Sequence, residues 1–407
     1  MIRTVRSPVA ILTALALAAG VWLFGSHASA EPRLLRVGDG QEFATIQAAV
    51  DAANAGDFIF VEPGTYDGDV VIPEGKEGLT IRGRDRNGVV LDGKFEQKVA
   101  ITALADNVTM ENMTARNFTG NGFYWRSVDG YEGRYLTTYR VGLYGIYAFD
   151  SVNGRFEKSL ASGSGDAAFY IGQCRPCDAV IDDVIGEWSA LGYSGTNAGG
   201  NLTIQNSVWR LNGAGIMPNS LDSQRDPPQR GGSRIINNLI EDNGNAETPG
   251  KGIAGAVIGH GVGVAGGADN VIENNVIRNN SDYGVVIFPI PGGSMVYLPN
   301  DNTVQNNVFE NNGAADMALS SGNGTGNCFS NNEHTTTAPA NLEQNYPCHN
   351  DGAPLKKVPI VGDAGVMANL AEDYIAAETG QMERPSYQGT PIPDEQPSMP
   401  NPEPEGF

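Results

Sequence analysis

The last third of the chain contains two segments that repeat one order of apolar and polar residues. Residues 269–280 read DNVIENNVIRNN, and residues 301–312 read DNTVQNNVFENN. In each segment an apolar anchor, Ile272 or Val304, is followed two residues later by Asn and four residues later by Val. Self-similarity of this kind indicates structural units that stack on one another.

The same pattern extends over most of the chain, with anchors separated by 21, 25, 25, 23, 31, 37, 32 and 25 residues. The anchors are Met110, Tyr131, Phe156, Ile181, Ile204, Ile235, Ile272, Val304 and Phe329. Asn stands two residues after six of these nine anchors. Because Asn tolerates left-handed backbone and stacked amides bond one another, the pattern predicts an all-β solenoid of short strands that bend at Asn. Counting weaker repeats near Ile59 and Ile81, we expect about eleven coils, each adding roughly 4.8 Å.

Over about residues 36–350 this repeat resembles the right-handed parallel β-helix of the pectin-lyase-like superfamily, in its uncharacterised secreted members. The inward positions carry Val, Ile and Phe, whereas leucine-rich repeats of similar period would carry Leu. Residues 43–93 are also similar to the opening of pectin methylesterases. The resemblance implies a single-stranded parallel β-helix. It assigns no reaction, because a fold alone licenses no chemistry.

Helices are expected at both ends, because the open end of a solenoid exposes apolar core and unpaired strand edges. Residues 43–57 place four apolar side chains on one helical face, namely Ile46, Ala49, Val50 and Ala53. Residues 362–380 place Val366, Leu370 and Tyr374 at four-residue spacing. We therefore expect an N-terminal and a C-terminal cap helix.

The N-terminus has the order of a secretory signal peptide: MIRTVR, an apolar run over residues 8–25, and small residues up to Ala30. An uncleaved membrane anchor is the alternative, because the apolar run approaches spanning length. The expected division of the chain is a signal peptide at 1–30, an N-terminal strand and cap helix at 31–58, the β-helix at 59–350, a cap segment at 351–380, and a disordered tail rich in Pro and acidic residues at 381–407.

The chain is acidic, with a formal net charge of −21 that becomes −21 − 2 = −23 once Arg3 and Arg6 leave with the signal. Nucleic acid and anionic lipid are therefore poor partners, and we expect a monomer without membrane insertion after cleavage. The acidity fits solubility outside the cell, with Ca²⁺ binding by clustered carboxylates as the alternative. No cofactor is otherwise indicated.

Export permits disulfides, and the four cysteines form an even set with three pairings. We favour Cys174 with Cys177 as a local clip and Cys328 with Cys348 as a pin near the far end of the solenoid. A redox role for the CRPC motif is the alternative, although no thioredoxin-like βαβ pattern surrounds it.

In each coil, Gly precedes one strand, and the side chains along that strand alternate between inward and outward. If Phe123, Ile146 and Phe169 point inward, then Tyr124, Tyr147 and Tyr170 point outward at spacings of 23 and 23 residues. We expect these tyrosines to form an exterior column that binds sugar rings and ends at Ser194. The alternative is that the aromatic pairs merely stabilise neighbouring strands.

Three consecutive coils carry insertions, at residues 219–232, 245–268 and 289–301. Insertions at equivalent places collect on one side of a solenoid, often the binding side. Together they could wall a groove, in which we expect Asp222 to bind substrate. Idle surface loops are the alternative, because loops tolerate length at little cost.

Candidate catalytic residues are His260, Lys251 and Arg225, which lie in or beside the insertions and could act as a base and neutralise a uronate. Asp182 and Asp183 with the GHG at 259–261 resemble a polygalacturonase site, but 77 residues separate Asp183 from His260 and no Arg-x-Lys follows. If the protein is an enzyme, a lyase or epimerase is therefore favoured over a hydrolase. The sequence predicts an exported protein that binds or processes an extracellular polysaccharide, with a non-catalytic structural or adhesion rod of the cell envelope as the alternative.

Overall fold

The computed structural model describes residues 31–222, 225, 227–250, 254, 257–322, 324–348, 362–379 and 383–406. The predicted signal peptide and Lys251 lie outside this described part of the chain.

The elements are short, and nearly all of them are strands. The first part of the chain forms β1 (Leu34–Val37), α1 (Ile46–Ala52), β2 (Phe58–Val61), β3 (Gly64–Tyr66), β4 (Val70–Ile72), β5 (Thr80–Gly83), β6 (Val89–Asp92), β7 (Val99–Ala103), β8 (Val108–Arg116), β9 (Asn121–Arg126) and β10 (Asp129–Val141). The middle part forms β11 (Ile146–Phe149), β12 (Val152–Glu157), β13 (Leu160–Ser164), β14 (Ala167–Gly172), β15 (Ala179–Asp182), β16 (Ile185–Glu187), β17 (Leu191–Thr196), β18 (Leu202–Gln205), β19 (Val208–Arg210), β20 (Ala214–Asn219), β21 (Ser233–Ile236), β22 (Leu239–Glu241) and β23 (Val262–Ala265). The last part forms β24 (Val271–Glu273), β25 (Val276–Arg278), β26 (Tyr283–Phe288), β27 (Ile290–Pro291), β28 (Val296–Tyr297), β29 (Thr303–Gln305), β30 (Val308–Glu310), β31 (Ala315–Leu319), β32 (Cys328–Ser330), β33 (Thr337–Ala338), α2 (Leu342–Asn345), α3 (Ala364–Glu378) and a 3₁₀ turn at Tyr387–Gly389.

Each coil supplies strands to three parallel sheets. The first sheet contains β1, β2, β5, β12, β15, β18, β21, β24, β29 and β32, and the second contains β3, β6, β13, β16, β19, β22, β25 and β30. The long strands β8 and β10 run through the bend and belong to both. The third sheet contains β4, β7, β9, β11, β14, β17, β20, β23, β26, β31 and β33. The predicted all-β parallel solenoid is confirmed.

The first sheet shows the register directly, because one inward residue of every coil lies beside its equivalent in the next. The series is Leu35, Ile59, Ile81, Met110, Gly133, Phe156, Ile181, Ile204, Ile235, Ile272, Val304 and Phe329. The solenoid thus has about 12 coils. It begins at β1, earlier than the boundary expected at residue 59.

One predicted anchor is wrong by two residues. Gly133, not Tyr131, pairs with Met110 and with Phe156, so the spacings there are 133 − 110 = 23 and 156 − 133 = 23. Tyr131 is buried as well, which made it look like the anchor. A Cβ at Gly133 would lie 2.9 Å from the Trp125 ring, so the indole fills the place of the missing side chain.

The Asn-rich bends divide two tasks between adjacent residues. The residue two after the anchor adopts left-handed backbone, as Asn274 (φ 55°) and Asn306 (φ 56°) do. The next residue forms the amide ladder: Asn275 N donates to Asn307 Oδ1 (3.0 Å), and Asn307 N donates to Asn332 Oδ1 (3.0 Å). Since a buried amide without partners would be costly, the ladder both satisfies the bends and fixes the stacking.

The predicted helices form, but not as clear caps. Helix α1 buries Ile46, Ala49 and Val50 in the core. Helix α3 covers the predicted residues, but Val366 packs in a cluster with Tyr283 and Phe288 on the outside of the third sheet. The side chain of Tyr374 lies outside the described set. The helix therefore covers a side of the solenoid, because the sheet is apolar there.

The tail differs from the expected disorder, since residues 383–406 run back along the coils in defined contacts. Arg86 is 2% exposed and donates from Nη1 to Pro397 O (3.2 Å), from Nη2 to Leu136 O (2.5 Å) and from Nε to Thr137 Oγ1 (2.7 Å). Ser398 Oγ donates to Asp85 Oδ1 (2.5 Å). Polar bonds to distant coils order a segment that buries little apolar surface.

Both favoured disulfides form, Cys174 with Cys177 and Cys328 with Cys348. None of the described helices is long and apolar enough to cross a bilayer.

Candidate functional site

The tyrosine column lies on the outer face of the third sheet, because alternation along β9, β11 and β14 turns every second side chain outward. Tyr147 pairs in register with Tyr124 on one side and with Tyr170 on the other, and Tyr170 pairs with Ser194. The Tyr124 and Tyr147 rings stack with centroids 4.4 Å apart and an interplanar angle of 6°. Tyr144, at the sheet edge, stacks on Tyr147 at 4.4 Å.

Tyr144, Tyr147 and Tyr170, but not Tyr124, form one wall of a cavity of about 550 Å³, which we call the outer cavity. Its floor is the outer face of the third sheet, and helix α3 and all three insertions contribute the other walls. The lining from the sheet and its edges is Tyr144, Tyr147, Phe149, Asp166, Tyr170, Leu191, Ser194, Thr196, Met217, Asn219, His260, Ala265 and Phe288. The insertions contribute Leu221, Ala254, Val257, Pro289, Ile290 and Pro291, and helix α3 contributes Met367, Leu370, Ala371 and Ile375.

Contacts between insertions hold the walls in place. Asp222 Oδ2 accepts hydrogen bonds from Ser294 N (2.5 Å) and Ser294 Oγ (2.6 Å), which ties the first insertion to the third. These bonds hold the pKa of Asp222 below its usual value. Arg225 reaches back over the coils and pairs with Asp150. The predicted substrate ligand Asp222 is thus engaged in a contact between loops.

His260 is the predicted catalytic residue that lies in the outer cavity. Its side chain is 1% exposed, and its Nδ1 lies 3.3 Å from Asp282 Oδ2 without hydrogen-bond geometry. The rings of Tyr283 and Phe288 lie 5.7 and 6.3 Å from the imidazole. Arg225 is not part of the lining; its side chain is 63% exposed, next to Asp150. The structure therefore does not bring Arg225 to His260.

The phenols of the cavity are held neutral. Burial, followed by the nearby charge of Asp166, raises the pKa of Tyr144 well above its ordinary value, and Asp166 and Tyr144 share a hydrogen bond. Burial raises the pKa of Tyr170 to about 12, although hydrogen bonds from Gln173 and Thr196 oppose it. Burial also raises the pKa of Tyr147. At neutral pH these hydroxyls are hydrogen-bond donors and acceptors, not bases.

Asp182 and Asp183, the adjacent carboxylates of the hydrolase hypothesis, have structural roles in the solenoid. Asp182 Oδ2 accepts from Arg155 Nη2 (3.0 Å), and Asp183 adopts left-handed backbone at a bend (φ 54°). Neither residue lines the outer cavity. Over the described residues, no group of three or more His, Cys, Asp or Glu side chains is placed to hold a metal ion.

The sequence did not reveal the apolar part of the lining. The column continues in register beyond Ser194 to Met217, then to Gly263 and Val286. Extending the spacing past Ser194 would have found Met217. The contribution of α3 has no local signal, because the helix joins the cavity through tertiary packing.

Comparisons with known proteins agree with this architecture. The family model described as "Right handed beta helix region" matches residues 105–289. The curated protein sequences contain no match to the chain. The structure is similar to a mutant tailspike protein of E. coli bacteriophage HK620 in complex with pentasaccharide, at 12% identity and a TM-score of 0.54, covering 70% of this chain and 57% of the tailspike.

Two further solved structures are similar. A rhamnogalacturonan lyase shares 13% identity at a TM-score of 0.50, covering 70% of this chain and 84% of the lyase. The A-module of mannuronan C-5 epimerase AlgE4 from Azotobacter vinelandii shares 15% identity at a TM-score of 0.46, covering 72% of this chain and 88% of the module. Such low identities show the fold alone. The family match and the structural similarities agree that the chain folds as a right-handed parallel β-helix.

Proposed function

We propose that the protein binds a segment of an extracellular polysaccharide in the outer cavity. One observation carries this proposal: Tyr147 and Tyr170 of the outward column form a wall of a cavity whose volume, about 550 Å³, is in the range of small-molecule binding sites. Tyr presents a flat apolar face and a polar tip, which suits a sugar ring with apolar C–H faces and peripheral hydroxyls. Asn219, Thr196 and Ser194 add further hydrogen-bonding groups.

Two similarities agree with a polysaccharide ligand. The tailspike neighbour was solved with a pentasaccharide, and another neighbour is a rhamnogalacturonan lyase. Function resides in sites and not in folds, so these neighbours support the ligand class by analogy only. The two disulfides support an extracellular or envelope location, because disulfides persist in oxidising compartments.

A second candidate function is proton transfer on the bound glycan, favoured by the pair of His260 and Asp282. A carboxylate near Nδ1 orients an imidazole and leaves Nε2 to exchange a proton. The Nδ1 to Oδ2 distance of 3.3 Å places the carboxylate beside the ring, although the pair lacks hydrogen-bond geometry. His260→Gln would then abolish turnover and preserve binding. The assay is the absorbance of unsaturated products from polyuronates, with and without Ca²⁺.

The experiment for binding is calorimetric titration of the full chain with a panel of neutral and acidic oligosaccharides. Tyr147 is the variant site, because its ring contacts both Tyr124 and Tyr144. We expect Tyr147→Ala to weaken binding at least tenfold. Tyr387 is the matched control, since it packs on Phe95 at 6.1 Å, outside the cavity lining. Absence of binding to every glycan would overturn the proposal in favour of a structural rod.

A further inference from the structure

The outer cavity changes in chemistry along the solenoid axis. Tyr147 lies on β11, Tyr170 on β14 and Tyr144 just before β11, whereas Met217 lies on β20 and Phe288 on β26. From Tyr170 to Phe288 the chain advances four coils, or about 19 Å at roughly 4.8 Å per coil. The cavity therefore has a tyrosine end and an apolar end.

Helix α3 packs over this end, because Val366 and Leu370 belong to the same apolar cluster as Met217 and Phe288. Met367, Leu370 and Ile375 of the helix face the same cavity as Met217 and Phe288 of the sheet. Sugar hydroxyls placed here would lose their hydrogen bonds to water and find few replacements beyond Asn219 and His260. An apolar group would instead bury its surface against these side chains.

The apolar side chains at this end leave part of the cavity volume between them unfilled. Met217 and Phe288 are only 3% and 7% exposed, yet they border open volume. Empty apolar volume inside a protein is destabilising, and a ligand that fills it regains the lost contacts. The shape of the site thus calls for a ligand that is polar at one end and apolar at the other.

The tyrosine end favours an uncharged sugar. Asp166 lies there and shares a hydrogen bond with Tyr144. Its carboxylate accepts hydrogen bonds from sugar hydroxyls but repels the carboxylate of a uronate. This preference concerns the charge of the sugar ring, independently of the apolar end.

We propose that the outer cavity recognises an uncharged glycan that carries an O-acyl group, with the sugar ring beside Tyr144, Tyr147 and Tyr170 and the acyl group between Met217, Phe288 and α3. This inference rests on the proposed function, because it names the ligand class of the same site. It assigns to α3 a direct part in ligand recognition.

The test compares O-acetylated neutral oligosaccharides, from glucomannan and xylan, with their alkali-deacetylated twins by calorimetric titration of the full chain. We expect an acetylated oligosaccharide to bind about fivefold more tightly than its twin, the gain for burying one methyl group. Acidic uronate oligosaccharides should bind more weakly than either twin. Asp166→Asn should reduce that discrimination.

Two variants of α3 locate the acyl group. Ala371 lines the cavity, and Ala368 is exposed on the same helix. We expect Ala371→Trp to remove the preference for the acetylated twin by filling cavity volume beside α3. Ala368→Trp should change neither affinity. Thermal unfolding of both variants verifies that they fold.

The outcomes separate the two proposals. Equal affinity for both twins in the unmodified chain would overturn the acyl inference and leave polysaccharide binding standing. Failure of every oligosaccharide to bind would overturn both. Binding of ethyl acetate or ethyl butyrate as tightly as the acetylated glycan would show an apolar site without sugar recognition and would also overturn the inference.

Discussion

The outward faces of the same coils differ sharply between the first two sheets and the third. On the first two sheets, arginines and carboxylates of successive coils pair: Arg134 and Arg82 both contact Glu111, Arg210 contacts Glu187, and Arg234 contacts Glu273. On the third sheet the outward positions carry Tyr147, Tyr170, Met217 and Phe288 instead.

The difference shows what each side of a strand determines. Inward residues are equivalent in all three sheets, since Phe156 of the first, Trp209 of the second and Phe169 of the third are all fully buried. Outward residues do not fill the core of the coil and can therefore differ between sheets. A charged face can remain largely in water, with the tail over part of it at Arg82 and Arg84. An apolar face needs the cover that the insertions and α3 provide.

The largest effect on stability is expected on the charged face, at Glu111. This carboxylate is 0% exposed and pairs with both Arg82 and Arg134. Glu111→Gln should lower the free energy of unfolding by about 3 kcal/mol, because two partly buried guanidinium groups lose their counterion. Denaturant titration measures the change, and glycan affinity should not alter. Glu310→Gln, at an exposed position, is the control with a change near zero.

The next largest effect on stability is expected at the bend between the second and third sheets. There Asp316 ends a ladder of buried amides formed by Asn212, Asn243, Asn280 and Asn312. Burial would raise the pKa of Asp316, but hydrogen bonds from Asn312, Thr335 and Thr336 outweigh it and hold the pKa below the usual value. The native state thus favours the carboxylate. Its stabilisation is present above the unfolded pKa, near pH 4, and is lost as the pH falls through the lower folded value.

Asp316→Asn should therefore cost roughly 2 kcal/mol at pH 7 and flatten the decline of stability below about pH 4. Urea titrations at pH 7, 4 and 3 measure both effects. A variant as sensitive to acid as the unmodified chain would show that other carboxylates cause the decline.

On the outer face of the third sheet, Tyr170→Phe is expected to have a smaller effect on stability and a larger effect on binding. Tyr170→Phe removes a hydroxyl that accepts from Gln173 Nε2 (3.2 Å), which should cost about 1 kcal/mol of stability. Glycan affinity should fall severalfold if this hydroxyl contacts the sugar. Calorimetry against the same oligosaccharide measures it. Unchanged affinity would show that the sugar does not contact the Tyr170 hydroxyl.

The smallest effect is expected for Arg234→Ala. The guanidinium is 60% exposed and pairs with Glu273, whose carboxylate also accepts from Gln305 Nε2. An exposed pair contributes about 0.5 kcal/mol, and less at high salt. Thermal unfolding at low and high salt measures the loss. A loss as large as that of Glu111→Gln would mean that exposure does not govern the charged face.

Local patterns predicted the features that depend on neighbouring residues. The repeat predicted the parallel sheets, and the alternation along each strand predicted the outward orientation of Tyr124, Tyr147 and Tyr170. The even number of cysteines led to the two favoured disulfides. The anchor at Tyr131 failed because two apolar candidates stood two residues apart, and only the packing of Trp125 over Gly133 distinguishes them.

Features that depend on distant residues could not be predicted. The tail is ordered by Arg86, which bonds to Pro397 over 311 residues of sequence, and no composition reveals such a partner. The apolar end of the cavity depends on α3, which looked like a cap because its amphipathic pattern shows a buried face but not the surface that buries it. Asp222 was predicted to bind substrate, but its carboxylate accepts a hydrogen bond from Ser294 of another insertion.

Hydrogen–deuterium exchange with and without the tightest-binding oligosaccharide tests the central claim, that the outer face of the third sheet is the functional face. We predict added protection in β11, β14, β17, β20 and α3, and none in β15 or β18 of the charged first sheet. Protection centred on the charged face, or spread evenly over the coils, would contradict the account.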